Sequence, residues 1–147
     1  MSAVIESTHD DHHHGPAKGF SRWLYTTNHK DIGSMYLWFS LIMLFIGGAM
    51  AMVIRAELFE PGSQIVSPEF YNQMVTNHGL IMVFGVIMPA FVGFANWMIP
   101  MQIGAPDMAL PRLNNLSFWI LPAAFGILLS TFFMEGGAPN FGWTFYA

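Results

Sequence analysis

The sequence predicts an all-α, polytopic membrane protein with three transmembrane helices. Of its 147 residues, 54% are hydrophobic and only 10% are charged, whereas a soluble domain carries about 25% charged residues. Asp, Glu, Lys and Arg are absent from three long runs, Ile32 to Ile54, Phe70 to Pro106 and Leu113 to Met134. Each run is long enough to cross the hydrocarbon core, which takes about 20 apolar residues.

The runs predict helices at about 32–54, 71–99 and 116–134, within one domain that covers residues 22–147. Residues 1–21 are predicted to be a cytoplasmic disordered tail, since they are polar and contain a His/Asp cluster between His9 and His14. Whether that cluster binds a metal stays open. Basic residues favour a cytoplasmic N-terminus, because only Arg55 falls on the other side of the membrane from Lys18, Arg22, Lys30 and Arg112.

The composition excludes several kinds of site. The chain has no cysteine, which rules out disulfides, thiolate zinc sites, iron–sulfur clusters and cysteine-bound copper within it. Neither a phosphate loop nor a serine triad is present. No basic patch of the kind that binds nucleic acid is found, so the bilayer is the partner that the composition predicts.

His78, near the outer end of the second helix, is the residue with the clearest functional potential. An ionisable side chain within a span is costly and is a functional hypothesis by default. In a regular helix His78 and Asn96 are five turns apart and share one face, and glycines beside His78 leave space for a flat group such as haem. Spacing alone leaves two interpretations open: a metal ligand, or a packing histidine bonded to a carbonyl of a neighbouring helix.

Asp107 lies in the inner loop between the second and third helices. A carboxylate at a membrane surface can collect protons, and the nearby amides of Asn96 and Asn114 can order water molecules. The alternative is an ordinary loop aspartate that pairs with Arg112.

The outer loop contains a second group of polar residues. Arg55, at the end of the first helix, either pairs with a polar substituent of a cofactor or extends to the lipid headgroups. Glu57, Gly62 and Gln64 form a candidate calcium or sodium site, since carboxylate, amide and carbonyl oxygens are the ligands that calcium prefers.

Several segments together resemble one known family. They are Trp23 to Gly33, Ile54 to Leu58, Thr76 to Gly79, Asn96-Trp97 and, most specifically, Ile103 to Trp119. They are similar to subunit I of bacterial-type haem–copper cytochrome c oxidases. The resemblance implies that the three helices belong to a larger bundle of about twelve, of which this chain is an N-terminal fragment, truncated at residue 147.

The resemblance also implies roles for individual residues. His78 matches the axial iron ligand of the low-spin haem, expected to be haem A, Arg55 the partner of its formyl group, and Tyr71 a neighbour of the same haem. The match implies a proton-pathway entrance at Asp107, Asn96 and Asn114. It implies an outer calcium or sodium site at Glu57, Gly62 and Gln64.

The implied function is that of the catalytic subunit of a respiratory oxidase that passes electrons from cytochrome c to an oxygen-reducing haem–copper centre and pumps protons. Copper and the second haem belong to the rest of the subunit, and the fragment alone is expected to be inactive. Expected partners are subunit II, which carries a dinuclear copper, subunit III and cytochrome c, in the bacterial inner membrane. The alternatives are a quinol oxidase of the same superfamily and a fragment of a haem-free helical transporter.

Overall fold

The computed structural model describes residues 19–62 and 65–145, and within these ranges the regular structure is entirely helical. The elements are α1 (Phe20–Tyr25), α2 (His29–Glu57), α3 (Pro68–Leu80), a π-helical segment (Ile81–Ile87), α4 (Met88–Ile103), α5 (Pro111–Ser130) and a 3₁₀ turn (Thr131–Phe133). In this part of the chain, three helical stretches are long and apolar enough to cross a membrane: His29–Glu57, Pro68–Ile103 and Pro111–Phe133. The predicted fold class is confirmed.

The helices extend beyond the predicted bounds at most of their ends. Asn28 caps α2 by accepting a 2.9 Å hydrogen bond from the Lys30 N–H, and Ser67 caps α3 by accepting one of 3.3 Å from Phe70 N–H. Gly104, with φ of 70°, ends α4 in the left-handed conformation that glycine adopts without strain. Uncharged runs mark the hydrocarbon core, whereas capping residues mark helix ends, so the predicted spans were too short.

The third helix and the tail also differ from the prediction. The helix begins at Pro111 instead of 116, because proline fits the first helical turn, and it gives way to the 3₁₀ turn after Ser130. Phe20 and Ser21 were predicted to be part of the tail but form the start of α1. Residues 1–18, with their His/Asp cluster, lie outside the described residues.

The π-helical segment lies in the middle of the second span and precedes Pro89. In a regular α-helix the Pro89 ring would clash with the carbonyl of Gly85. The wider turn relieves this clash, and Met88 N–H donates to the Val83 carbonyl five residues back. The prediction of a regular helix between His78 and Asn96 is therefore wrong. A π turn changes the angular position, around the helix axis, of every residue that follows it.

Helix α2 occupies the centre and packs against α3, the π segment, α4 and α5. Its buried Tyr36 and Phe39 meet rings of α5 edge to face, with centroids 5.2 Å apart for Tyr36–Phe118 and 5.7 Å for Phe39–Phe125. Large apolar side chains such as Phe45 and Phe91 are about 70% exposed on the outer faces. Such faces suit lipid or further helices of a bundle.

Candidate functional sites

His78 makes a 2.8 Å hydrogen bond through Nδ1 to the Gly47 carbonyl of α2. A carbonyl can only accept, so Nδ1 carries the proton, and the tautomer compatible with this bond has its lone pair on Nε2. Metal-binding histidines commonly donate their second N–H to a carbonyl in this way, which fixes the tautomer. A packing histidine makes the same bond, so the contact agrees with both interpretations of the sequence. It leaves Nε2 chemically suited to ligate iron.

The other two residues predicted to contact haem lie on the same helices as His78 and its partner Gly47. Tyr71 precedes it by about two turns of α3, on the same face, and is half-buried. Arg55 is exposed in the last turn of α2, about two turns or ~12 Å beyond Gly47 along the axis. In the described residues, no hydrogen bond joins the three side chains.

The glycines near His78 do not leave the space that the sequence suggested. A Cβ on Gly79 would lie 3.0 Å from Cβ of Trp143, and one on Gly85 would lie 3.1 Å from the Phe125 ring. Neighbouring side chains therefore cover both glycines. Their role in this structure is close packing, as small residues provide between membrane helices.

Asp107 lies in the loop between α4 and α5, where its Oδ1 atom accepts three hydrogen bonds. The donors are the Met108 N–H at 2.7 Å, His29 Nδ1 at 3.1 Å and the His29 N–H at 3.3 Å. The Asp107 side chain is 39% exposed and that of His29 only 8%. The alternative of an Asp107–Arg112 pair is wrong, because within the described residues the carboxylate pairs with His29.

Asn96 and Asn114 come together across α4 and α5. Asn114 Nδ2 donates a 2.6 Å hydrogen bond to Oδ1 of Asn96, which is 3% exposed. No described hydrogen bond links the pair to Asp107.

The sequence did not predict the residues that continue the hydrogen-bond network from Asn114. Ser117, one turn after Asn114, donates a 2.7 Å bond to the Asn114 carbonyl. Because its proton is used there, the Tyr36 hydroxyl is the donor in the 2.8 Å Tyr36–Ser117 bond. The spacing of Asn114 and Ser117 on one helix face was a usable signal for Ser117, whereas nothing in the sequence links His29 or Tyr36 to the site.

The predicted outer cation site is described only in part. Glu57 is 6% exposed, and its Oε2 accepts hydrogen bonds from the N–H groups of Ile65 and Val66, both at 2.9 Å. Gly62 has φ of 108°, and Gln64 lies outside the described residues. No cluster of three or more His, Cys, Asp or Glu suited to a metal occurs in the described ranges. The observed role of the carboxylate is to hold the loop.

Comparison with known families identifies the chain. The family model described as cytochrome c and quinol oxidase polypeptide I matches residues 31–147. The chain belongs to this family. The resemblance inferred from the sequence motifs is therefore confirmed.

The chain is 48% identical over 134 residues to cytochrome c oxidase subunit 1 of Corynebacterium diphtheriae, a match covering 90% of the chain and 24% of the relative. It is 48% identical over 132 residues to probable cytochrome c oxidase subunit 1-alpha of Streptomyces coelicolor, covering 90% of the chain and 23% of that protein. It is 48% identical over 126 residues to haem–copper oxidase subunit I+III of Aeropyrum pernix, covering 86% and 16% respectively. The chain thus spans about a quarter or less of the length of these relatives.

Proposed function

We propose that the chain is the N-terminal part of the catalytic subunit of a proton-pumping cytochrome c oxidase in a bacterial inner membrane. The complete subunit would reduce oxygen at a haem–copper centre with electrons from cytochrome c. The names of the Corynebacterium and Streptomyces relatives favour cytochrome c over quinol as donor. Subunits II and III are the expected partners, and the Aeropyrum relative is itself a subunit I+III protein.

The proposed contribution of His78 is to bind the iron of a low-spin haem, which we expect to be haem A, through Nε2. The bond from its Nδ1 to the Gly47 carbonyl is the observation that carries this proposal, because it presents the lone pair on the other nitrogen. When bound, such a haem supplies one-electron transfer. Arg55 and Tyr71 would hold its periphery, and a positive guanidinium near a formyl group withdraws electron density.

Replacing His78 tests this role in the full-length oxidase complex. We expect His78→Leu to abolish the absorbance of the low-spin haem while the oxygen-reducing haem is retained. Gly48→Ala is the control, since a Cβ on Gly48 would meet nothing within 4 Å. A low-spin spectrum that survives in His78→Leu would refute the assignment. A pyridine haemochrome spectrum identifies the haem type, and a complex without haem would favour the transporter alternative.

We further propose that Asp107 takes up protons from the cytoplasmic side and that Asn96 and Asn114 hold water molecules behind it. A half-exposed carboxylate in the loop between α4 and α5, and an amide pair that joins the same two helices, are suited to this task. Asp107→Asn in the full-length protein should slow turnover and pumping without changing the haem spectra. The matched control is Glu69→Gln, another exposed carboxylate, near the opposite end of the second span. Normal pumping by Asp107→Asn would remove Asp107 from this role.

The outer site at Glu57, Gly62 and Gln64 is proposed to bind calcium or sodium. The buried Glu57 carboxylate supports this, because it offers an oxygen of the kind calcium prefers at the end of α2, next to the outer loop. Calcium should raise the thermal midpoint of the wild-type complex and should not raise that of Glu57→Gln. An equal response of the two proteins would refute the site.

A further inference from the structure

His29 is the first residue of α2 and contacts a carboxylate 78 positions away in the sequence. It is 6% exposed. Its backbone N–H and its ring Nδ1 both point to the same atom, Oδ1 of Asp107, at 3.3 Å and 3.1 Å. The N-terminus of a helix also attracts negative charge. One residue therefore holds Oδ1 by two hydrogen bonds and a favourable dipole.

This contact orients the carboxylate. Three donors converge on Oδ1, and no donor among the described residues reaches Oδ2. Because the Asp107 side chain is 39% exposed, the oxygen without a donor is the one available to water. The segment around Asp107 has no helix or strand, and the third hydrogen bond to Oδ1 comes from the adjacent Met108 in the same loop. His29 thus ties Asp107 to α2, a transmembrane helix that is remote from this loop in the sequence.

The contact with Asp107 fixes which ring nitrogen of His29 carries the proton. To donate to a carboxylate, Nδ1 must carry a proton. The other ring nitrogen is Nε2. Nε2 is buried and has no hydrogen-bond partner in the described residues. Within the described residues, the polar contact of the ring is therefore the one that its Nδ1 makes with Asp107.

We infer that His29 is a positioning residue for proton uptake: it fixes Oδ1 of Asp107 against the N-terminus of α2 so that Oδ2 faces the cytoplasmic water. This inference rests on the proposed role of Asp107. The group that takes the proton is Asp107, and His29 acts through it.

Two substitutions of His29 in the full-length oxidase test the inference. In His29→Asn the side-chain Nδ2 occupies the place of the ring Nδ1 and keeps the donor, whereas His29→Leu removes it. We expect His29→Leu to slow proton uptake about tenfold, a factor that corresponds to losing one charge-assisted hydrogen bond. His29→Asn should retain most of the wild-type rate, and the haem spectra should not change in either variant.

Each outcome decides the matter. Wild-type uptake in His29→Leu would overturn the inference, and equal loss in His29→Asn and His29→Leu would show that the imidazole itself is needed, which also overturns positioning. If His29→Leu does not assemble, His29→Gln replaces it, since its amide lies one bond too far from the Nδ1 position and should likewise reduce uptake. Asp107→Asn is measured in parallel: if it has no effect, the proposed function fails, whereas a defect there without one in His29→Leu refutes only the positioning role.

Discussion

The crossing of α2 and α4 at Gly33 and Gly93 leaves no room for a side chain, and Gly33→Ala should disturb it. A Cβ on Gly33 would lie 2.6 Å from Cδ1 of Trp97, 2.9 Å from the Gly93 carbonyl oxygen and 3.2 Å from Cβ of Asn96. The Trp97 ring cannot easily turn away, because its Nε1 donates a 3.2 Å hydrogen bond to Ser34. The obstacle at Gly93 is backbone, so the helices themselves must separate.

The size of the effect follows from these distances. An ordinary contact begins at 3.4 Å, so the new methyl group must move about 0.5 Å from the Gly93 oxygen and about 0.8 Å from Trp97. Overpacking of this kind costs about 1–3 kcal/mol. This cost exceeds the roughly 0.5–1 kcal/mol by which alanine stabilises a helix interior relative to glycine. Asn96 contacts the same crossing, so we also expect its 2.6 Å bond with Asn114 to weaken and proton uptake to slow.

Thermal unfolding and proton uptake of the full-length complex measure both effects. Gly33→Ala should lower the unfolding midpoint by a few degrees and slow uptake with unchanged haem spectra. Gly48→Ala is the matched control in the same helix, because a Cβ there meets nothing within 4 Å, and it should be neutral or stabilising. Equal midpoints and equal uptake rates for the two variants would refute the close crossing.

Three further substitutions test individual contacts. Asn114→Ala leaves the buried Oδ1 of Asn96 without its donor and should destabilise the protein by about 1–3 kcal/mol while slowing proton uptake; a wild-type uptake rate would show that the amide pair is not on the path. Tyr36→Phe removes the 2.8 Å bond to Ser117 and should cost about 0.5–1.5 kcal/mol in thermal unfolding, with a double-mutant cycle to Ser117→Ala as the check on coupling. Phe125→Ala removes a buried ring and should cost about 3–5 kcal/mol, whereas Ile127→Ala, at a side chain 69% exposed, should cost much less if the face meets only lipid.

The sequence predicted the three spans because charged residues are excluded from the hydrocarbon core wherever a helix crosses it. It did not predict their ends, which depend on capping by Asn28 and Ser67 at the polar surface. The π-helical segment was also missed, since Pro89 indicates some distortion but not the way in which the backbone accommodates it. For the same reason the predicted alignment of His78 with Asn96 rested on a regular helix that is not there.

For the candidate site, too, the sequence predicted some features and missed others. Motifs singled out His78, Asp107, Asn96 and Asn114, and the structure joins the two asparagines directly. Their proposed roles still come from the family, because an imidazole bonded to a carbonyl is compatible with packing as well as with iron ligation. His29 was not predicted, because no feature of the sequence around it indicates a contact with Asp107.

The amino-acid sequence was enough to predict a helical membrane protein of the oxidase family with three spans, because hydrophobic length and motif identity are local properties that can be read along the chain. The tertiary structure decided which polar groups meet. It paired Asp107 with His29 instead of Arg112, placed the Gly47 carbonyl on Nδ1 of His78, and filled the space beside Gly79 and Gly85 with side chains. These outcomes depend on where helices cross and how a π turn rotates them, and both are set by packing between residues far apart in the sequence.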